Sequence, residues 1–273
     1  MWNLIKMDFY RLFSSKTIKI GAAVAFLVCA GYMFVSLGIL SIAELAAKQD
    51  PFAVEGLGLF LPQIAWMHGV DFSEIVFSVT AVFALFIGCM ITANFIGSEQ
   101  SCGYTKNFAG QLSDKGYMAI SKFAVTSFVQ VMILLIYTVV SAVFALILFG
   151  KYINGYNIGA LLAALGLRLM LHLAINAIVI FICTFTKSHA IAMVAGCIFG
   201  MGVTKFAYTA AEVFLSMLKI NFPISGYMPD GINGQIYLDT VGEIAFKAIA
   251  VAIVFIAVFL ASNYFIVRSR DVK

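Results

Sequence analysis

The sequence predicts an all-α integral membrane protein: six transmembrane helices, an N-terminal amphipathic helix in the interface, and both termini in the cytoplasm. Three observations carry this. First, 63% of the 273 residues are hydrophobic and 11% are charged, with a mean hydropathy of +1.02. Soluble domains average roughly 45–50% apolar and about 25% charged residues, so there is too little charge here to cover a water-facing surface. Second, six apolar stretches reach the ~20 residues that a hydrocarbon core of about 30 Å requires. Third, the cations are unevenly placed along the chain.

The expected spans are 20–43, 72–96, 123–149, 158–185, 190–218 and 244–267. The first is too long for a signal core of about 7–15 residues and lacks a small-x-small cleavage site, so it reads as a span. Lys6, Arg11, Lys16 and Lys19 precede it. Lys106, Lys115 and Lys122 lie between the second and third spans, Lys187 between the fourth and fifth, and Arg268, Arg270 and Lys273 in the tail. The opposite loops offer Lys48, Lys151 and Lys219 beside Glu44, Asp50, Glu55, Asp71, Asp230 and Asp239. The positive-inside rule therefore places both ends in the cytoplasm. Residues 44–71 and 219–243 become extracellular loops, with Gly56–Met67 apolar but too short to span and so interfacial or re-entrant.

Residues 1–18 span nothing yet are patterned. Trp2, Ile5, Phe9, Leu12 and Phe13 recur at spacings of three and four, one apolar stripe on a helix, with Asn3, Lys6, Arg11 and Ser14 largely elsewhere. Such a helix suits the headgroup region.

Chemistry is bounded mainly by exclusion. There is no G-x-x-x-x-G-K-[ST] phosphate loop, no H-E-x-x-H helix and no G-x-S-x-G elbow. His68, His172 and His189 lie apart. The five cysteines (Cys29, Cys89, Cys102, Cys183 and Cys197) follow no metal or disulfide spacing and read as small apolar residues. No catalytic constellation emerges, and no basic patch interleaved with aromatics points to nucleic acid.

The stretch Gly97-Ser98-Glu99-Gln100-Ser101-Cys102-Gly103-Tyr104-Thr105-Lys106-Asn107, followed by Ser113-Asp114-Lys115 and Ser121-Lys122, carries a resemblance. So do the opening Leu4-Ile5-Lys6-Met7-Asp8-Phe9-Tyr10-Arg11-Leu12-Phe13 and the tail from Phe265 to Lys273. Together with the six-span layout, they resemble membrane permease subunits of type 2 ABC exporters, of the branch of small Gram-positive peptide and antimicrobial exporters. The resemblance implies that loop 98–122 is a coupling element, with Glu99, Gly103, Tyr104, Thr105, Lys106 and Asn107 receiving the closure of a separate ATPase subunit. It also implies a bacterial plasma-membrane location, pairing with a second copy or a related permease, and ATP and Mg on the partner, with no cofactor on this chain. The cargo would be hydrophobic or amphipathic, such as a peptide.

Ionisable groups inside spans mark interiors or water-filled routes. Arg168, His172 and Asn176 are spaced four apart on one face of the fourth span. Lys205, Tyr208 and Glu212 share a face of the fifth, and long side chains can bring Arg168 to Glu212. These six are the candidate pathway or interhelical polar residues. Gly196 and Gly200 form a small-xxx-small pattern that permits close helix approach, and Glu243 with Lys247 reads as an i,i+4 pair. Two other readings compete: an ion-coupled transporter or channel using the intramembrane charges, and a non-transporting scaffold or sensor.

Overall fold

The computed structural model describes residues 2–49, 70–102, 114–220 and 222–269. Their elements in chain order are α1 (Trp2–Ser14), α2 (Lys16–Gln49), β1 (Val70–Asp71), α3 (Phe72–Ser101), α4 (Tyr117–Phe149), β2 (Ile153–Gly155), α5 (Ile158–Thr186), α6 (His189–Gly200), α7 (Thr204–Met217), α8 (Pro229–Asn233) and α9 (Val241–Ser269). Among the described residues, five helices are long and apolar enough to cross a membrane: Lys16–Ile39 of α2, Phe72–Gln100 of α3, and α4, α5 and α9. The bent pair of α6 and α7 makes a sixth if counted as one span. The chain is thus an all-α, multi-pass membrane protein.

Local chemistry sets the helix ends. The Asp71 carboxylate accepts from the Ser73 N–H at 2.8 Å and from the Asn157 N–H at 3.0 Å, so it caps α3 and fastens the chain just before α5. The same junction carries the two-strand parallel pairing of Val70 with Ile153 and Asp71 with Gly155. Burial raises the Asp71 pKa, but the Ser73 and Asn157 backbone donors and the Ser73 hydroxyl outweigh it and hold the carboxyl below its usual range. Asn157 caps α5 through Ala160, and Ser188 caps α6 through Ile191. Between them, α5 ends on Lys187 in the left-handed region, φ 56°, its N–H bonded to the Cys183 carbonyl.

The expected fifth span, 190–218, is broken. At the end of α6 the Gly202 N–H bonds to the Phe199 carbonyl and the Val203 N–H to the Ile198 carbonyl. Gly202 itself sits at φ +67°. This paired 5→2 and 6→1 arrangement is a Schellman stop, which a glycine makes without a Cβ clash. The chain turns by 68° into α7, none of whose residues is buried. α7 ends the same way at Lys219, φ 61°.

α3 is the central helix, packed against α2, α4, α5 and α6. Its contact with α6 is close because Gly196 and Gly200 face it: a Cβ at 200 would lie 2.7 Å from the Phe86 Cα, and one at 196 would lie 3.1 Å from the Cys89 carbonyl oxygen. The small-xxx-small pattern therefore serves packing inside one bundle. α9 lies along α5 and leaves most of its surface outward.

Candidate functional site

Beyond the Asp71 junction, three polar groupings stand out among the described residues. The first lies where α1 meets the C-terminal end of α3 and the N-terminal end of α4. α1 turns Leu4, Asp8 and Leu12 inward, spaced four apart, while Trp2 and Phe13 of the expected stripe are exposed. The buried face of α1 thus includes a carboxylate. Asp8 accepts from the Ser121 hydroxyl at 2.6 Å and lies 3.9 Å from Arg11. Burial pushes its pKa up, with Glu99 adding to the rise; Ser121, Arg11 and Lys122 oppose it.

Glu99 is the hub. Its Oε2 is 3.2 Å from the Arg11 guanidinium and 3.1 Å from the Lys122 ammonium, and its side chain is 1% exposed. Arg11 also lies 4.3 Å over the Phe95 ring. Two acids and two bases from three helices therefore neutralise one another in a buried site. Glu99 is buried and faces into the bundle. Phe9 and Phe13 of α1 pack edge-on against Phe128 of α4 and close the contact on its apolar side.

Around the hub the last turns of α3 reach in every direction. Asn94 donates to Thr17 of α2 at 2.9 Å and lies 3.1 Å from the His189 ring nitrogen at the start of α6. Gln100 donates to the Cys183 carbonyl of α5 at 2.9 Å. Nearby, Asp114 accepts from Tyr264 of α9 at 2.5 Å and from the Gly116 N–H at 2.8 Å, with Arg268 at 3.9 Å. The Tyr264 hydroxyl first, then the Gly116 N–H, hold the Asp114 carboxyl below its usual pKa.

The second place is the bundle interior. Asn176 of α5 accepts from Thr92 of α3 at 2.8 Å and donates to Thr126 of α4 at 2.9 Å; the Thr126 hydroxyl in turn donates to the Lys122 carbonyl. Toward the opposite end, His172 is fully buried. Arg168 is 2% exposed, bonded to the Phe77 carbonyl at 3.2 Å with its guanidinium 3.7 Å over the Phe77 ring. The predicted face Arg168–His172–Asn176 exists, and it points into one bundle's own core.

The third place joins α7 to α8. Thr204 donates to the buried Asp230, which also bonds Tyr208, and Lys205 reaches the end of α8 beside Gly234. Glu212 accepts from the Ser225 N–H at 2.6 Å. Arg168 and Glu212, which the sequence brings within reach on straight helices, do not pair: the bend after Gly200 turns α7 away from α5. Lys247 does not pair with Glu243 among the described residues; its ammonium stands 4.6 Å over the Tyr227 ring.

Gly103, Tyr104, Thr105, Lys106 and Asn107 lie outside the described residues, as does the Gly56–Met67 segment. The sequence places Asp8, Arg11, Ser121 and Lys122 in the segments that carry the resemblance and Lys122 in the 98–122 loop, without marking any of the four as a site residue. An aspartate four residues from Leu4 and from Leu12 was the available signal. Among the described residues no group of His, Cys, Asp and Glu is arranged to hold a metal. Comparison with known proteins finds no matching family model and no matching curated protein.

Proposed function

We propose that this chain is the permease subunit of an ATP-driven exporter, moving a hydrophobic or amphipathic cargo with energy from a separate ATPase. The observation that supports it best is the Asp8–Arg11–Glu99–Lys122 cluster. It ties α1, α3 and α4 together on either side of the connection 102–116, where a partner docked at that end would push. A force on the connection then moves three helices as one body. In this reading Glu99 transmits the push from inside the bundle, while the 103–107 segment makes the contact. The permease pairs with a second copy or a related chain on two ATPase subunits.

The test is co-expression with candidate ATPase subunits, co-purification, and ATP turnover in proteoliposomes. Turnover stimulated by the permease, and reduced at least severalfold by Glu99→Gln or Lys106→Ala while the complex still assembles, supports the reading. Failure of any ATPase to co-purify, or turnover unaltered by both substitutions, overturns it. Transport by the lone chain without ATP would instead favour the ion-coupled alternative, which draws on Arg168 and His172.

A further inference from the structure

α2 touches α3 closely at one point: a Cβ on Gly21 would lie 2.7 Å from the Ile91 side chain. Toward α4 the same turns of α2 carry the short side chains of Ala22 and Ala25. A cavity of about 80 Å³ is left along the α2–α4 seam, with Ile18, Ala22 and Ala25 on one wall and Val129, Ile133 and Ile136 on the other. Ile91 of α3 also lines it, and Phe13, edge-on against Phe128, stands at the end nearest α1.

The cavity has a back, a bottom and an open side. Ala25, Ile91, Val129 and Ile133 are buried and close the back. One turn beyond Ala25, Cys29 is buried, as is Tyr137 next to Ile136, so the seam shuts there. The outer rim stays open, because Phe13 and Met132 are exposed. From Ile18 to Ala25 the helix rises about 10 Å, two-thirds of the roughly 15 Å of hydrocarbon in one leaflet. Among the described residues every side chain lining the cavity is apolar, so water gains no hydrogen bond in it.

The charges at the α1 end of this seam are cationic. Lys16 and Lys19, two residues before Ile18 and one after it, are exposed and form no ion pair among the described residues. Asp8 and Glu99 of the α1 cluster are already balanced by Arg11 and Lys122. An apolar slot below two unpaired ammonium groups matches a molecule with a hydrocarbon tail and an anionic head. A lipid of zero net charge satisfies only the first half of that description.

We infer that the α2–α4 seam holds one acyl chain of an anionic phospholipid, with its phosphate at Lys16 and Lys19. The chain fills the gap beside Ala22 and Ala25, and the headgroup supplies the negative charge that the two lysines lack. The site belongs to the isolated chain and does not rest on the exporter reading.

The test is native mass spectrometry of the full-length protein, stripped of lipid in detergent and offered phosphatidylglycerol and phosphatidylcholine with identical chains. One phosphatidylglycerol per protein should survive activation that removes all phosphatidylcholine. Ala22→Phe, which sets a ring in the gap, should abolish this retention, whereas Ala23→Phe, at an exposed position of the same turn, should leave it intact. Lys16→Gln combined with Lys19→Gln should cut the preference for phosphatidylglycerol by about tenfold or more, and carries the test if Ala22→Phe does not fold. Equal retention of the two lipids by the native chain overturns the inference. Retention of detergent in place of lipid, or retention unaltered by Ala22→Phe and by the lysine pair, overturns it equally.

Discussion

The Lys122 ammonium lies 3.1 Å from the Glu99 carboxylate in a site where the two side chains are 7% and 1% exposed. Water screens such a pair little, so removing one partner strands the other. Glu99→Gln is expected to cost roughly 3–5 kcal/mol, because both Arg11 and Lys122 lose their acceptor charge. The double change Glu99→Gln with Lys122→Met should recover part of this loss. Thermal unfolding of the four proteins closes the cycle, and strictly additive losses would contradict the pairing.

Acid sensitivity has two opposing sources. Asp114 is held below its ordinary value of 3.8, so its stabilisation is present above that pH and is lost as pH falls through the lower folded value. Tyr264→Phe removes the largest of the interactions holding it down, so the acid-induced loss should be smaller and complete at a higher pH. Asp8 is raised above 3.8, so its contribution has the other sign: present below 3.8 and lost as pH rises through the folded value. Asp8→Asn should remove that contribution and leave the Asp114 limb intact. Melting temperature between pH 3 and 7 reads both.

Gly200→Ala places a Cβ 2.7 Å from the Phe86 Cα, a backbone atom that moves only with its helix. A loss of about 1–3 kcal/mol is expected from overpacking. Gly166→Ala meets nothing within 4 Å and should be neutral or slightly stabilising, since alanine favours helix. Equal melting temperatures for the two variants would refute the close α3–α6 packing.

Cys102 is exposed at the end of α3, whereas Cys29, Cys89 and Cys183 are buried. With the termini cytoplasmic, as the charge distribution predicts, an impermeant maleimide should label Cys102 in inverted vesicles and not in intact cells. A cysteine replacing the exposed Tyr156, at the opposite end of the bundle, should give the reverse pattern.

Much of the fold was legible because lipid imposes one demand, length in apolar residues, and the runs meet it visibly. The α6–α7 break was written in Gly202, but a glycine in a long apolar run reads equally as a packing residue, and only its positive φ decides. The polar site was legible in part. Arg168, His172 and Asn176 stand out because ionisable and amide groups are rare inside spans and their four-residue spacing is local. Thr126 remained hidden on another helix, since its link to Asn176 is a matter of register between α4 and α5. Arg11, Glu99 and Lys122 lie far apart along the chain, and nothing in any one segment announces that they meet.

That separation bears on how the protein is made. Arg11 emerges from the ribosome 88 residues before Glu99, and Asp8 emerges 113 residues before Ser121. At about 5–20 residues per second, α1 waits roughly 4–23 seconds for the groups that will neutralise it. Until then Asp8 and Arg11 have only each other, 3.9 Å apart, and water to offset their charge. Its burial against α3 and α4 can follow only once both have been made.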